Sequence, residues 1–167
     1  MDPETKPHRA GNRVFMSISA LLLRHALYTL ICMVFVLVLS SGLLFFLDVD
    51  IGVGVSSVTH FVPAWYTGAI YTRRTKVAPS SGTMWKLSWI MSLINIVVGF
   101  LLVFAVALVF GIEDEMVSDL SFFGLGGGAI ILGVVYLFGV VVARFSFGFG
   151  VKAEQRRQEE LAAKDAM

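Results

Sequence analysis

Four runs of about 20 apolar residues, separated by short polar connectors, constrain this chain more than any other feature. A helix rises about 1.5 Å per residue, so about 20 residues cover the roughly 30 Å of hydrocarbon in a bilayer. A backbone in lipid must satisfy its own hydrogen bonds, so such runs are expected to be helical. The runs fall at about 26–47, 51–71, 87–111 and 121–142, the last continuing toward Val151. The second is the most polar, with Ser56, Ser57, Thr59, His60 and Pro63 inside it. Of the 167 residues, 57% are hydrophobic and 15% charged. Soluble domains usually carry about a quarter charged residues. Polar sequence outside the runs is too scarce for a sizeable soluble domain that does chemistry.

The expected fold is an all-α membrane protein: a four-transmembrane-helix bundle with an N-terminal interfacial helix and a C-terminal cytosolic helix. Residues 1–25 hold a polar tail and then an amphipathic pattern. Val14, Phe15, Ile18, Leu21 and Leu22 share one face, with Arg13, Ser17, Ala20 and Arg24 opposite. That pattern suits the membrane interface. Alternatively it extends the first span into the cytosol. Residues 14–47 are too long for one span, so a bend or an interface segment is expected near Arg24 and His25. Residues 26–151 form the transmembrane domain. Residues 152–167 are rich in helix formers, with Arg156/Glu160 and Glu160/Lys164 of opposite sign and four apart. They predict a solvated helix continuing the fourth span. The first run also resembles a signal peptide with a cleavage site at Val38-Leu39-Ser40. Apolar sequence continues to Leu47, beyond where such a region ends, so an uncleaved span is expected.

Charge sets the orientation. The connector after the first run carries Asp48 and Asp50, and the connector after the third carries Glu113, Asp114, Glu115 and Asp119. All thirteen Lys and Arg residues lie elsewhere. Basic residues are retained on the cytosolic side during insertion. Both termini and the middle loop are therefore expected to face the cytosol, as an even number of spans requires. Tyr71, Trp85 and Trp89 flank the basic loop, where amphipathic rings favour headgroups.

Polar residues deep in a span are the usual pointer to function in membrane proteins. His60 lies nine residues into the second run and Asn95 eight residues into the third. The two are candidates to meet across the hairpin. One reading is a proton-responsive or ligand-contacting pair. The preferred reading is an interhelical hydrogen bond that locks packing, worth about 1 kcal/mol. Gly124 and Gly128 are four apart in a cluster that opens the fourth run, and Gly139 with Ala143 repeats the small-residue spacing. Such spacing lets helices approach closely, within the chain or between copies. A phosphate-binding loop is excluded: no strand precedes the cluster and no Lys follows it.

Arg24, Arg73, Arg74, Lys76 and Arg144 are read as topology signals, or as contacts to anionic lipid. The basic loop is too short for a nucleic-acid reader. Cys32 is a lone thiol in an apolar run and is expected to be a packing residue. The acidic connectors are expected to form a solvated rim. No catalytic constellation or metal-ligand cluster is legible, so no cofactor and no enzymatic activity are expected.

The stretch 61–87, FVPAWYTGAIYTRRTKVAPSSGTMWKL, is the most individual part of the chain. Arg73, Arg74, Lys76, Pro79, Trp85, Lys86 and Leu87 follow the outline of the ABZJ-type family of small four-span bacterial inner-membrane proteins, which the chain resembles. Thr83 departs from it, standing where an acidic residue is expected. The resemblance implies a bacterial inner membrane and the four-span layout, and it implies no activity. The expected role is a non-enzymatic accessory, scaffold or small oligomeric component, with the lipid bilayer as partner and with itself or another membrane protein through span four. The alternative is a small oligomeric transporter or channel.

Overall fold

The computed structural model describes residues 17–48, 52–111 and 124–166, and these are almost wholly helical, without strands. Four helices follow one another: α1 (Ile18–Leu47), α2 (Gly52–Thr75), α3 (Ser81–Phe110) and α4 (Gly124–Asp165). Residues of the polar tail, Asp50, and the acidic connector from Glu113 to Asp119 lie outside the described residues.

Local chemistry fixes the helix ends. Ser17 opens α1, its hydroxyl accepting the Ala20 N–H at 3.2 Å, and Ser80 opens α3 by accepting the Thr83 N–H at 3.2 Å. Asp48 closes α1 in a left-handed conformation, its N–H returning to the Leu43 and Leu44 carbonyls. Gly111 closes α3 with φ of 66°, a region that costs glycine nothing. Helix α1 is one continuous helix through Arg24 and His25, where the sequence predicts a bend or an interface segment. Helix α4 continues from its apolar part through the charged segment to Asp165.

Three helices, α1, α3 and α4, are long and apolar enough to cross a membrane. Helix α2 is less apolar, and its polarity is turned inward. Thr59, Pro63, Ala64, Thr67 and Thr72 are buried, while Phe61, Val62, Trp65 and Tyr66 are exposed.

Helix α2 packs most extensively on α4, α1 packs on α2 and α3, and α3 packs on α4. The helices thus form a ring in the order α1, α2, α4, α3. Across it, α2 touches α3 slightly and α1 does not pack on α4 among the described residues. The core lies toward one end: Leu21, Ala64, Ile70, Leu87, Met91, Ala143, Phe147 and Val151 form one buried cluster. Toward the other end the helices are mostly uncovered, and Ala107 is the one buried residue of α3 beyond Asn95.

Lipid tails are as apolar as leucine, so hydrophobic contact contributes little to helix association in a bilayer. Close backbone approach and polar bonds carry more of it. The α2–α4 crossing is built for approach. A Cβ placed on Gly68 would strike the Phe147 carbonyl, and one on Gly150 would strike the Trp65 carbonyl. Only glycine lets these two backbones meet.

Candidate functional site, a buried polar cluster

The packed end of the bundle holds an intrahelical and interhelical polar network around His25. His25 is fully buried. It lies one turn beyond Leu21 and one turn before Thr29, so the three share the inward face of α1. Arg24, one residue earlier, is exposed on another face. The Nδ1 of His25 lies 3.0 Å from the Thr67 hydroxyl of α2, and Nε2 lies 3.0 Å from Oδ1 of Asn95 on α3. Thr29 donates to the same Asn95 oxygen at 2.8 Å. Thr67 in turn donates to the Pro63 carbonyl at 2.7 Å. Four side chains from three helices thus bond to one another. Buried polar groups are costly when unpaired, so such a cluster holds its helices in one register. The amide nitrogen of Asn95 is buried without a hydrogen-bond partner.

His60 borders this cluster on α2. Thr59 lies 3.4 Å from its Nδ1. A Cβ on Gly139 would stand 3.5 Å from the His60 ring and 2.6 Å from the Ser92 hydroxyl, so α4 passes close to both. Ser92 donates to the Tyr136 carbonyl at 3.1 Å, and Tyr136 donates to the Trp89 carbonyl at 3.2 Å, tying α3 to α4.

Of the residues singled out by sequence, Asn95 is buried at the cluster, where its hydrogen bonds run to His25 and Thr29. Gly139 and Ala143 are buried at the packed end of α4. Gly128 faces open space, as do Gly126 and Gly133. The surroundings of Gly124 lie outside the described residues. Arg24, Arg74 and Lys76 are exposed. Arg144 holds its guanidinium carbon 5.6 Å from the Trp85 ring centre, a cation–π contact.

Arg73 is engaged in a pairing that sequence reading did not foresee. It makes two hydrogen bonds to Glu154 on α4, from Nε at 3.2 Å and from Nη2 at 3.1 Å. Arg157, one turn beyond Glu154, adds a contact at 3.5 Å. Glu154 lies past the apolar part of α4. The Arg73 guanidinium bonded to it holds its carboxyl below the usual carboxylate range. This fork joins the end of α2 to the charged extension of α4.

Sequence reading placed His25 beside Arg24 at the membrane boundary and missed its role. The available signal was the four-residue spacing of His25 and Thr29 on the face opposite Arg24. Gly68 and Gly150 were missed because each stands outside the obvious glycine cluster; Ala64 and Gly68, four apart, carried the cue.

Cys32 lines a small apolar groove of about 210 Å³ between α1 and α2, with Tyr28, Ile31, Val62, Pro63 and Tyr66. Among the described residues, no three His, Cys, Asp or Glu side chains gather as a metal site would require. Fold and cluster together define a helical protein with three helices long and apolar enough to cross a membrane and a polar cluster toward one end. No family model, no curated protein and no solved structure matches this chain.

Proposed function

We propose that this chain is a non-enzymatic component of a bacterial inner membrane, crossing it four times with both termini in the cytosol. In this reading it works as a small oligomer, or as an accessory or scaffold subunit beside another membrane protein. The observation that carries the reading is the unevenness of α4. Its packed end is closed by Gly139, Ala143 and Phe147, whereas a Cβ on Gly126, Gly128 or Gly133 would meet nothing within 4 Å. Small residues along an uncovered stretch of helix permit close approach by another helix in lipid.

The inverted polarity of α2 supports a fourth span. A helix with Thr59, Thr67 and Thr72 inside and Phe61, Val62 and Trp65 outside suits lipid better than water. The charge pattern supports the orientation: Arg73, Arg74, Arg144 and Lys152 gather at the end opposite Asp48.

The test is the mass of the protein extracted in native nanodiscs, together with whatever co-purifies. A homo-oligomer or a stoichiometric partner supports the reading, and a strictly monomeric protein with no crosslinked neighbour in its own membrane sinks it. A second reading, a small oligomeric transporter or channel, is favoured by the histidine cluster, since ionisable groups inside membranes commonly mark transport paths. Flux at background across a broad panel of ions and solutes in liposomes would remove it.

A further inference from the structure

Thr67 has one hydroxyl proton, and it is directed at the Pro63 carbonyl, 2.7 Å away. Its oxygen therefore meets Nδ1 of His25 as an acceptor, which requires a proton on Nδ1. On the other side of the ring, Nε2 faces Oδ1 of Asn95, again an acceptor, and that contact requires a proton on Nε2. Thr29 donates to the same oxygen. All four contacts are made together only by an imidazolium.

A neutral ring must give something up. Thr67 can turn its proton from Pro63 to Nδ1, which abandons the carbonyl. Alternatively Asn95 rotates its amide by about half a turn, a change the near-symmetric shape of the group permits. The amide nitrogen then faces Nε2 and donates to its lone pair. That nitrogen is buried without a partner in the present arrangement. Rotation thus supplies the acceptor it lacks, and Thr29 becomes an acceptor in its turn. By this second route the two protonation states of His25 are matched by two orientations of one amide.

The groups that face His25 come from three helices. Arg24, its neighbour on α1, is exposed on another face. Helix α2 brings His60 within electrostatic range, beside Thr67 and the Pro63 carbonyl. Helix α3 presents Asn95 and the Met91 backbone, and α4 does not pack on α1 among the described residues.

We propose that His25 is a reversible proton-binding site inside the helical bundle, and that proton uptake turns the Asn95 amide from nitrogen-inward to oxygen-inward. The incoming proton bonds to the Nε2 lone pair and Nδ1 keeps its own. No other covalent bond changes. The proposal stands apart from the assembly reading and holds for a monomer or an oligomer.

The test uses the intact chain in nanodiscs, with ¹⁵N in the histidine rings and asparagine side chains. His25 is assigned through its contact with Thr67. NMR spectra are followed from about pH 5 to about pH 8, the range in which histidine usually titrates. The expected result is an Nε2 signal that passes from unprotonated to protonated as pH falls, while the Asn95 amide signal moves with the same midpoint. A ring that keeps one protonation state throughout overturns the proton site. A ring that titrates beside a stationary Asn95 amide overturns the coupling.

Discussion

Nε2 of His25 and the side-chain oxygen of Asn95 stand 3.0 Å apart, joining α1 to α3 across 70 residues of sequence. Truncating either partner removes hydrogen bonds from buried polar groups. Asn95→Ala strands Nε2 of the ring and the Thr29 hydroxyl, whereas His25→Ala empties a buried space and removes one bond each from Thr67 and Asn95, which keep Pro63 and Thr29. Each single substitution is expected to cost about 1 to 3 kcal/mol. The double substitution is expected to cost less than the sum, by about 1 kcal/mol. Reversible unfolding in mixed detergent micelles measures all three. Additive losses would show that the bond contributes nothing.

Two kinds of glycine on these helices are expected to behave oppositely. Gly68→Ala and Gly150→Ala drive a methyl into a facing backbone carbonyl, which side-chain rotation cannot relieve. Each is expected to destabilise the chain by about 2 kcal/mol or more. Gly126→Ala and Gly128→Ala meet open space, and the better helix propensity of alanine leaves stability unchanged or raised by up to about 1 kcal/mol. If the uncovered stretch around Gly128 joins copies or a partner, Gly128→Ala weakens that association while leaving the isolated chain intact. Parallel unfolding and crosslinking series separate these effects.

The Arg73–Glu154 fork predicts a pH dependence. The Glu154 carboxyl is held below its ordinary value by the Arg73 hydrogen bonds. Its contribution is therefore fully present above the unfolded carboxylate value of about 4.3 and is lost as pH falls through the lower folded value. Arg73 is half exposed, so the pair is expected to contribute only about 1 kcal/mol. Glu154→Gln should flatten stability across that acidic window, and Arg73→Lys should keep the charge but lose the paired geometry. Unfolding midpoints between about pH 3 and about pH 6 decide the matter.

Orientation is open to direct labelling, because Cys32 is the lone native thiol. In a Cys32→Ala background, Asp48→Cys is expected to react with an impermeant thiol reagent added outside intact cells. Lys76→Cys is expected to react only after the membrane is opened. Labelling of both from one side would overturn the four-span topology.

The helices themselves were legible along the chain. The apolar runs announced α1, α3 and α4, while the ends at Ser17 and Ser80 fell earlier than the runs at 26 and 87 suggested. The runs are local: hydropathy and propensity act within a few residues, so sequence order suffices to read them. The charge pattern likewise needs no fold. Which residues meet was decided elsewhere. His25 stands beside an exposed arginine in sequence, yet the packing of α1 on α2 and α3 places it fully inside, against Thr67 and Asn95. Gly124 and Gly128 advertised close packing, while Gly68 and Gly150 provide the backbone approach between α2 and α4. Arg73 read as a membrane-boundary cation until α4 brought Glu154 alongside. Each of these depends on the rotation and crossing of helices about one another. Distant residues set those relationships jointly, and no single stretch of the chain encodes them.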